Sequence, residues 1–234
     1  MVTGASRGIG LAVAREYVAA GARVLGTARG REALMAAREE LGSLFEPVEI
    51  DLSNADDCRR LADRIAGEPI TALVNNAGTN RRADIRSIDP ADWTLLVELN
   101  LTAPARLSQA AARGMAERRT GRIVHIASIW AINGAPGRST YGATKGALVS
   151  LARHMAVDLA PHNVLVNTVC PGFTDTELTR ALGREEIDRL EAAVPLGRMA
   201  DPAEIASLVV FLGSRLNTYI TGQSVTIDGG FTIQ

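Results

Sequence analysis

Apolar residues recur in two alternating rhythms along this chain. Short runs rich in β-branched residues read as strands at 23–27, 48–50, 71–74, 122–127, 165–169 and 224–227. Between them, apolar positions repeat at spacings of three and four, which predicts helices over 9–20, 31–41, 55–66, 89–118, 140–160 and 202–212. Strands separated by helices need crossover connections, so their pairing is parallel. The expected fold is α/β: a Rossmann-type, doubly wound parallel sheet with helices on both faces, one domain over 1–234. In such a sheet ligands gather at the carboxyl ends of the strands. That rule puts residues 4–10, Ala28-Arg29, Asp51-Leu52, residues 76–78, Ser128 and Pro171-Gly172 on a single rim.

Two spacings on that rim carry chemistry. Tyr141 and Lys145 are four residues apart on a predicted helix, so their side chains share one face. A phenol ordinarily titrates near about 10, and a neighbouring ammonium favours the phenolate. At roughly 4 Å and an effective dielectric of about 20 the attraction is about 4 kcal/mol before desolvation. The pair is therefore a candidate acid/base device with a lowered phenol pKa. The second spacing is the glycine-rich turn Gly4, Ser6, Arg7, Gly8, Ile9 and Gly10, which opens the first helical pattern. Its glycines permit positive φ and close approach to a ligand, and the helix start behind it attracts a pyrophosphate. The arrangement is G-x-x-x-G-x-G, distinct from the commoner G-x-G-x-x-G.

With these motifs, and with Asp51-Leu52, Asn75-Asn76-Ala77-Gly78, Asn100, Ser128 and Pro171-Gly172 in the same order, the chain resembles the short-chain dehydrogenase/reductase family in its compact branch. Only Met1 and Val2 precede Thr3, so the first strand is expected to be shorter than in relatives. The resemblance implies an oxidoreductase that moves hydride between a nicotinamide cofactor and a carbonyl or alcohol. It implies that Tyr141 is the general acid, that Lys145 lowers its pKa and holds ribose hydroxyls, and that Ser128 binds the substrate oxygen. Asn100 would hold a water in a proton relay to Lys145. Asp51 and Leu52 would hold the adenine, with capping of the helix after Ser53 as the alternative for Asp51. Asn76, Ala77 and Gly78 would line the cofactor floor, while Pro171, Gly172 and Thr174 would position the nicotinamide. Homotetramers are the family's usual assembly.

Cofactor choice turns on charge after the second strand. NAD-binding relatives place a carboxylate there for the ribose 2′-hydroxyl, whereas this chain has Ala28 followed by Arg29, with Arg7 in the glycine turn. Two guanidinium groups suit a 2′-phosphate, so NADP(H) is expected and NAD is the lesser choice.

Composition narrows the partners. The chain holds 25 basic and 26 acidic residues, a net charge of −1, with no basic segment interleaved with aromatics, so nucleic acid is not expected. No apolar run approaches the roughly 20 residues of a bilayer span, and no leader is seen ahead of the glycine turn, so a cytoplasmic protein is expected. Cys58 and Cys170 read as core thiols, and His125, His154 and His162 lack metal-ligand spacing, so no metal site is expected. His125 falls in a central strand and should be buried.

Substrate specificity should lie in 129–138 and in a candidate lid at 173–199. Trp130 and Ile132 suggest an apolar wall, while Asn133, Arg138, Arg180 and Arg184 could meet an acidic group. Residues 174–182 resemble β-ketoacyl carrier-protein reductases, and Asn80-Arg81-Arg82 resembles ketogluconate and polyol dehydrogenases. A non-catalytic nucleotide sensor on this fold remains a third reading, although such proteins usually lose the tyrosine or lysine.

Overall fold

The computed structural model describes the backbone of residues 1–234 and every side chain except that of Leu178. Seven parallel strands form one sheet: β1 (Val2–Thr3), β2 (Val24–Ala28), β3 (Phe45–Glu49), β4 (Ala72–Asn75), β5 (Gly121–Ile126), β6 (Val164–Pro171) and β7 (Ser224–Ile227). Their order is β3-β2-β1-β4-β5-β6-β7, so the direction of winding reverses between β1 and β4. This is the expected doubly wound architecture, and the reversal opens a crevice above β1 and β4.

Both faces of the sheet are covered. On one lie α1 (Gly8–Ala19), α2 (Arg31–Leu41) and the last long helix, α9 (Pro202–Gly213), packed with Val2, Val74, Val124 and Val169. On the other lie α3 (Ala55–Ala66), α5 (Ala103–Glu117) and α6 (Ser139–Leu159), packed with Leu73, Ile123, Val164 and Val166. Successive strand residues face opposite sides, so strands buried on both faces read as continuous apolar runs.

A polar row interrupts that core. Asn75, His125, Thr168 and Ser224 are register partners across β4, β5, β6 and β7, all facing the α5–α6 side. Asn75 donates to Ser108 Oγ of α5 at 2.9 Å and lies 3.2 Å from His125 Nδ1. His125 is fully buried, as expected, and desolvation followed by the Lys145 charge pushes it down to about 3, so it is neutral.

Three elements depart from the sequence reading. Strand β3 begins at Phe45, three residues before the expected 48–50, because Pro47 and two glutamates hide it; an edge strand tolerates a proline that a central strand would not. The single helix expected over 89–118 is three pieces: α4 (Pro90–Val97), a π-turn (Glu98–Thr102) and α5. The region 173–199 carries α7 (Glu177–Arg180) and α8 (Arg184–Ala192).

Candidate active site

The carboxyl ends of the strands enclose a cavity of about 630 Å³. Gly4 and Gly8 turn the chain from β1 into α1 with φ of +65° and +54°, values that an L side chain rarely adopts. The helix then starts at an extended Arg7 whose side chain makes no cap, so its first amide groups are free to face an anion. Gly10 does not line the cavity. A Cβ there would collide with the Gly4 carbonyl oxygen and come within 2.5 Å of Asn76 Nδ2, so Gly10 lets α1 sit against the turn.

Asn76 ties the turn to the adjacent strand. Its Nδ2 donates to Thr3 O at 2.9 Å and to Gly4 O at 3.2 Å, while the amides of Asn76 and Ala77 both donate to Thr3 Oγ1 at 2.9 Å. Ser6, Arg7, Ile9, Arg29, Asp51, Leu52, Asn76, Ala77 and Gly78 line the cavity with Gly4 and Gly8. Arg7 pairs with Glu177 of α7 at 3.1 Å, whereas exposed Arg29 has no ion pair among the described residues. Asp51 does not cap α3. That role belongs to Asn54, whose Oδ1 accepts from Asp56 N at 2.9 Å and Asp57 N at 3.1 Å, leaving the Asp51 carboxylate to hold Ser53.

At the opposite end of the cavity are Ser128, Tyr141, Lys145, Pro171, Gly172 and Thr174. Lys145 is buried, donates to Ile126 O at 2.8 Å, and holds its ammonium 5.7 Å from the centre of the Tyr141 ring. Desolvation pushes it down to about 8. Contrary to the sequence expectation, the phenol of Tyr141 stands above its ordinary value. Desolvation outweighs the hydrogen-bonding Ser128 hydroxyl and the Arg138 charge, and Lys145, turned toward a carbonyl, is not among the influences. Ser128, two residues after β5, also accepts from Trp130 N at 3.2 Å.

Asn100 lies beneath this group and does not line the cavity. It sits in the π-turn, fully buried, accepting from Thr79 N and donating to Thr79 O, both at 2.9 Å, and to Thr144 Oγ1 at 3.3 Å. Gly78 fits between it and Lys145: a Cβ there would lie 3.1 Å from Asn100 Oδ1 and 3.4 Å from Lys145 Nζ. The widened helical turn thus aims an amide at the loop after β4.

A family model described as enoyl-(acyl carrier protein) reductase matches residues 4–232. The chain is 38% identical over 232 residues to the 3-oxoacyl-(acyl-carrier-protein) reductase FabG of Vibrio cholerae, covering 98% of this chain and 95% of the relative. It belongs to the short-chain dehydrogenases/reductases. The enzyme of the same name from Aquifex aeolicus is 36% identical over 236 residues, covering 98% and 95%. A solved short-chain dehydrogenase/reductase family protein superposes with a TM-score of 0.92 at 39% identity, covering 99% of this chain and 96% of that one. A Beutenbergia cavernae protein, provisionally described as an NAD(P)-dependent gluconate 5-dehydrogenase and holding NADP at low occupancy, superposes with a TM-score of 0.93 at 35% identity, covering 100% and 96%.

This short-chain dehydrogenase/reductase also brings residues to the cavity that sequence reading did not place there. Arg82, Leu182 and Leu190 line it together with Trp130, Arg138 and Phe173. Trp130, Phe173 and Phe231 form an edge-to-face trio with centroids 5.0 to 6.2 Å apart. Phe231 is distant in sequence from the other two, and no local spacing announces the contact. Among the described residues no group of three His, Cys, Asp or Glu side chains is placed to hold a metal ion, and no helix is long and apolar enough to cross a membrane. Cys58 and Cys170 are free, buried thiols.

Proposed function

We propose that this oxidoreductase interconverts a ketone and a secondary alcohol with NADP(H), and that Tyr141 is its proton donor and acceptor. The observation that carries the reading is the convergence of Tyr141, Lys145 and Ser128 at one end of a cavity whose other end is the glycine turn. Those residues fit a dinucleotide: the turn and uncapped start of α1 suit a pyrophosphate, and Arg29, exposed after the second strand and without an ion pair among the described residues, suits a 2′-phosphate. Bound NADPH supplies the hydride.

Tyr141, its pKa raised by desolvation, stays protonated at neutral pH and can give its proton to a carbonyl oxygen. Ser128 orients that oxygen and stabilises the charge developing on it. Lys145 and Asn100 hold the layer below, where Lys145 binds ribose hydroxyls and Asn100 anchors the path by which a proton returns to Tyr141. Lys145 has a pKa of about 8, close enough to neutrality to exchange a proton with that path.

Two substrate classes follow from the relatives' names, a 3-oxoacyl thioester and a sugar acid or polyol. Trp130, Phe173 and two leucines favour the first, and Arg82 with Arg138 favours the second. Residues 173–199 act as the lid. A homotetramer is part of the same proposal, supported by the open edge of β7 and by exposed Phe211, Leu216 and Tyr219. The deciding experiment follows NADPH oxidation with a panel of ketones in wild type and Tyr141→Phe. Turnover should fall by about two orders of magnitude or more while NADPH affinity is kept. Wild-type turnover in the variant would refute the assignment.

A further inference from the structure

Two guanidinium groups meet beside Tyr141 with too little negative charge to match them. Arg82 follows β4 and Arg138 immediately precedes α6, and both line the cavity. A backbone hydrogen bond from Ala83 N to Gly137 O, 3.2 Å, clasps their two segments together. Arg138 is partly buried and stacks over Trp130, its guanidinium carbon 5.8 Å from the ring centroid. It has no ion pair among the described residues; desolvation first, and then the Arg82 charge, push its pKa below the ordinary arginine value. Arg82 has only a long pair, 3.9 Å, to Glu186 of α8, a carboxylate that also serves Arg189.

Like charges packed together beside a cavity are unfavourable unless a ligand supplies the counter-charge. The geometry points to a substrate carboxylate bound by Arg82 and Arg138, so that the ketone reduced at Tyr141 is a short keto acid. This rests on the reductase reading and names its substrate class. Position selects the acid over the thioester. Arg138 is the residue just before α6, Tyr141 is the third residue of that helix, and the Arg138 charge reaches the phenol, so an anion on Arg138 lies close to a carbonyl on Tyr141. A carrier-protein thioester has its nearest phosphate at the far end of a pantetheine arm, many bonds from the carbonyl. Trp130 and Phe173 then flank the carbon chain between the two groups.

The test uses the full chain with saturating NADPH and three matched probe pairs: 2-oxo-, 3-oxo- and 5-oxohexanoate, each against its methyl ester. At least one acid should exceed its ester about tenfold or more in kcat/KM, as expected for a charge-assisted contact. In Arg82→Met and Arg138→Met that ratio should fall toward one, mainly through KM, with partial recovery in Arg138→Lys. Glu186→Gln removes the competing carboxylate and should raise the ratio about two- to fivefold, a gain that misfolding cannot produce. Esters reduced as well as acids, or a ratio that survives both methionine variants, would overturn the carboxylate subsite alone. Failure of every ketone, charged or neutral, to oxidise NADPH would remove the reductase reading and this inference with it.

Discussion

Removing the most important cation of the site should make the protein more stable. Lys145 is buried, and its pKa is down to about 8 from an ordinary 10.5. At pH 7 the folded state therefore keeps an ammonium group that is less favourable there than in the unfolded chain, by about 3 kcal/mol. Because the folded pKa is the lower one, this destabilisation is fully present below pH 8. It fades between about 8 and 10.5, where the folded lysine has released its proton and the unfolded one has not. Lys145→Met abolishes the cost but also loses the bond to Ile126 O, which leaves a net gain of about 1–3 kcal/mol at pH 7. For a domain of this size that is a rise in Tm of several degrees. Urea unfolding of both nucleotide-free proteins at pH 7 and 9.5 measures it. The variant's advantage should shrink by about 2 kcal/mol at the higher pH, alongside loss of ketone reduction. A destabilised variant, or an advantage equal at both pH values, would refute the picture of a desolvated ammonium.

Other changes have equally definite outcomes. Gly10→Ala drives a methyl group against the Gly4 carbonyl and Asn76, so it should cost about 1–3 kcal/mol and weaken NADPH binding, both measurable by thermal shift with and without nucleotide. Arg29→Ala should lower NADPH affinity at least tenfold while leaving NADH nearly untouched, read by fluorescence titration; equal preference in the wild type would remove the role of Arg29. Asp201→Ala deletes the acceptor for Ala203 N, 2.8 Å away, and half of the capping box of α9; about 1 kcal/mol should be lost in urea unfolding, with the activity of the remaining folded protein preserved.

What the sequence displayed most clearly was whatever repeats locally. The strands of the sheet centre and the helices that flank them follow period and β-branching, and the strand ends located nearly all of the rim, from Gly4 to Thr174. Longer-range facts were hidden. The π-turn at Asn100 keeps the apolar rhythm of the helices on either side, so nothing in the letters separates it from α-helix. Of the two roles open to Asp51, the cap falls away because the chain runs on to Asn54 before α3 starts. The pKa of Tyr141 goes up instead of down, since spacing reports only the Coulomb attraction while desolvation depends on what packs around the ring. The meeting of Arg82 with Arg138 needs the segment after β4 to lie against the one before α6, which only the folded chain supplies.

The row Asn75, His125, Thr168 and Ser224 bears on how the chain finds its alignment. A sheet apolar on both sides offers little to tell one pairing from its neighbour, since sliding a strand by a single position exchanges one greasy face for another. Four polar side chains on one level, with Asn75 bonded to Ser108 and His125, remove that degeneracy. A slip at β5 would take the imidazole of His125 away from Asn75 and thrust it among the valines beneath α1 and α9. These residues act as index marks, ruling out shifted arrangements more than they strengthen the correct one. Replacing His125 and Thr168 together by leucine and valine would then yield a protein as hard to melt as before, but slower to reach a single folded form.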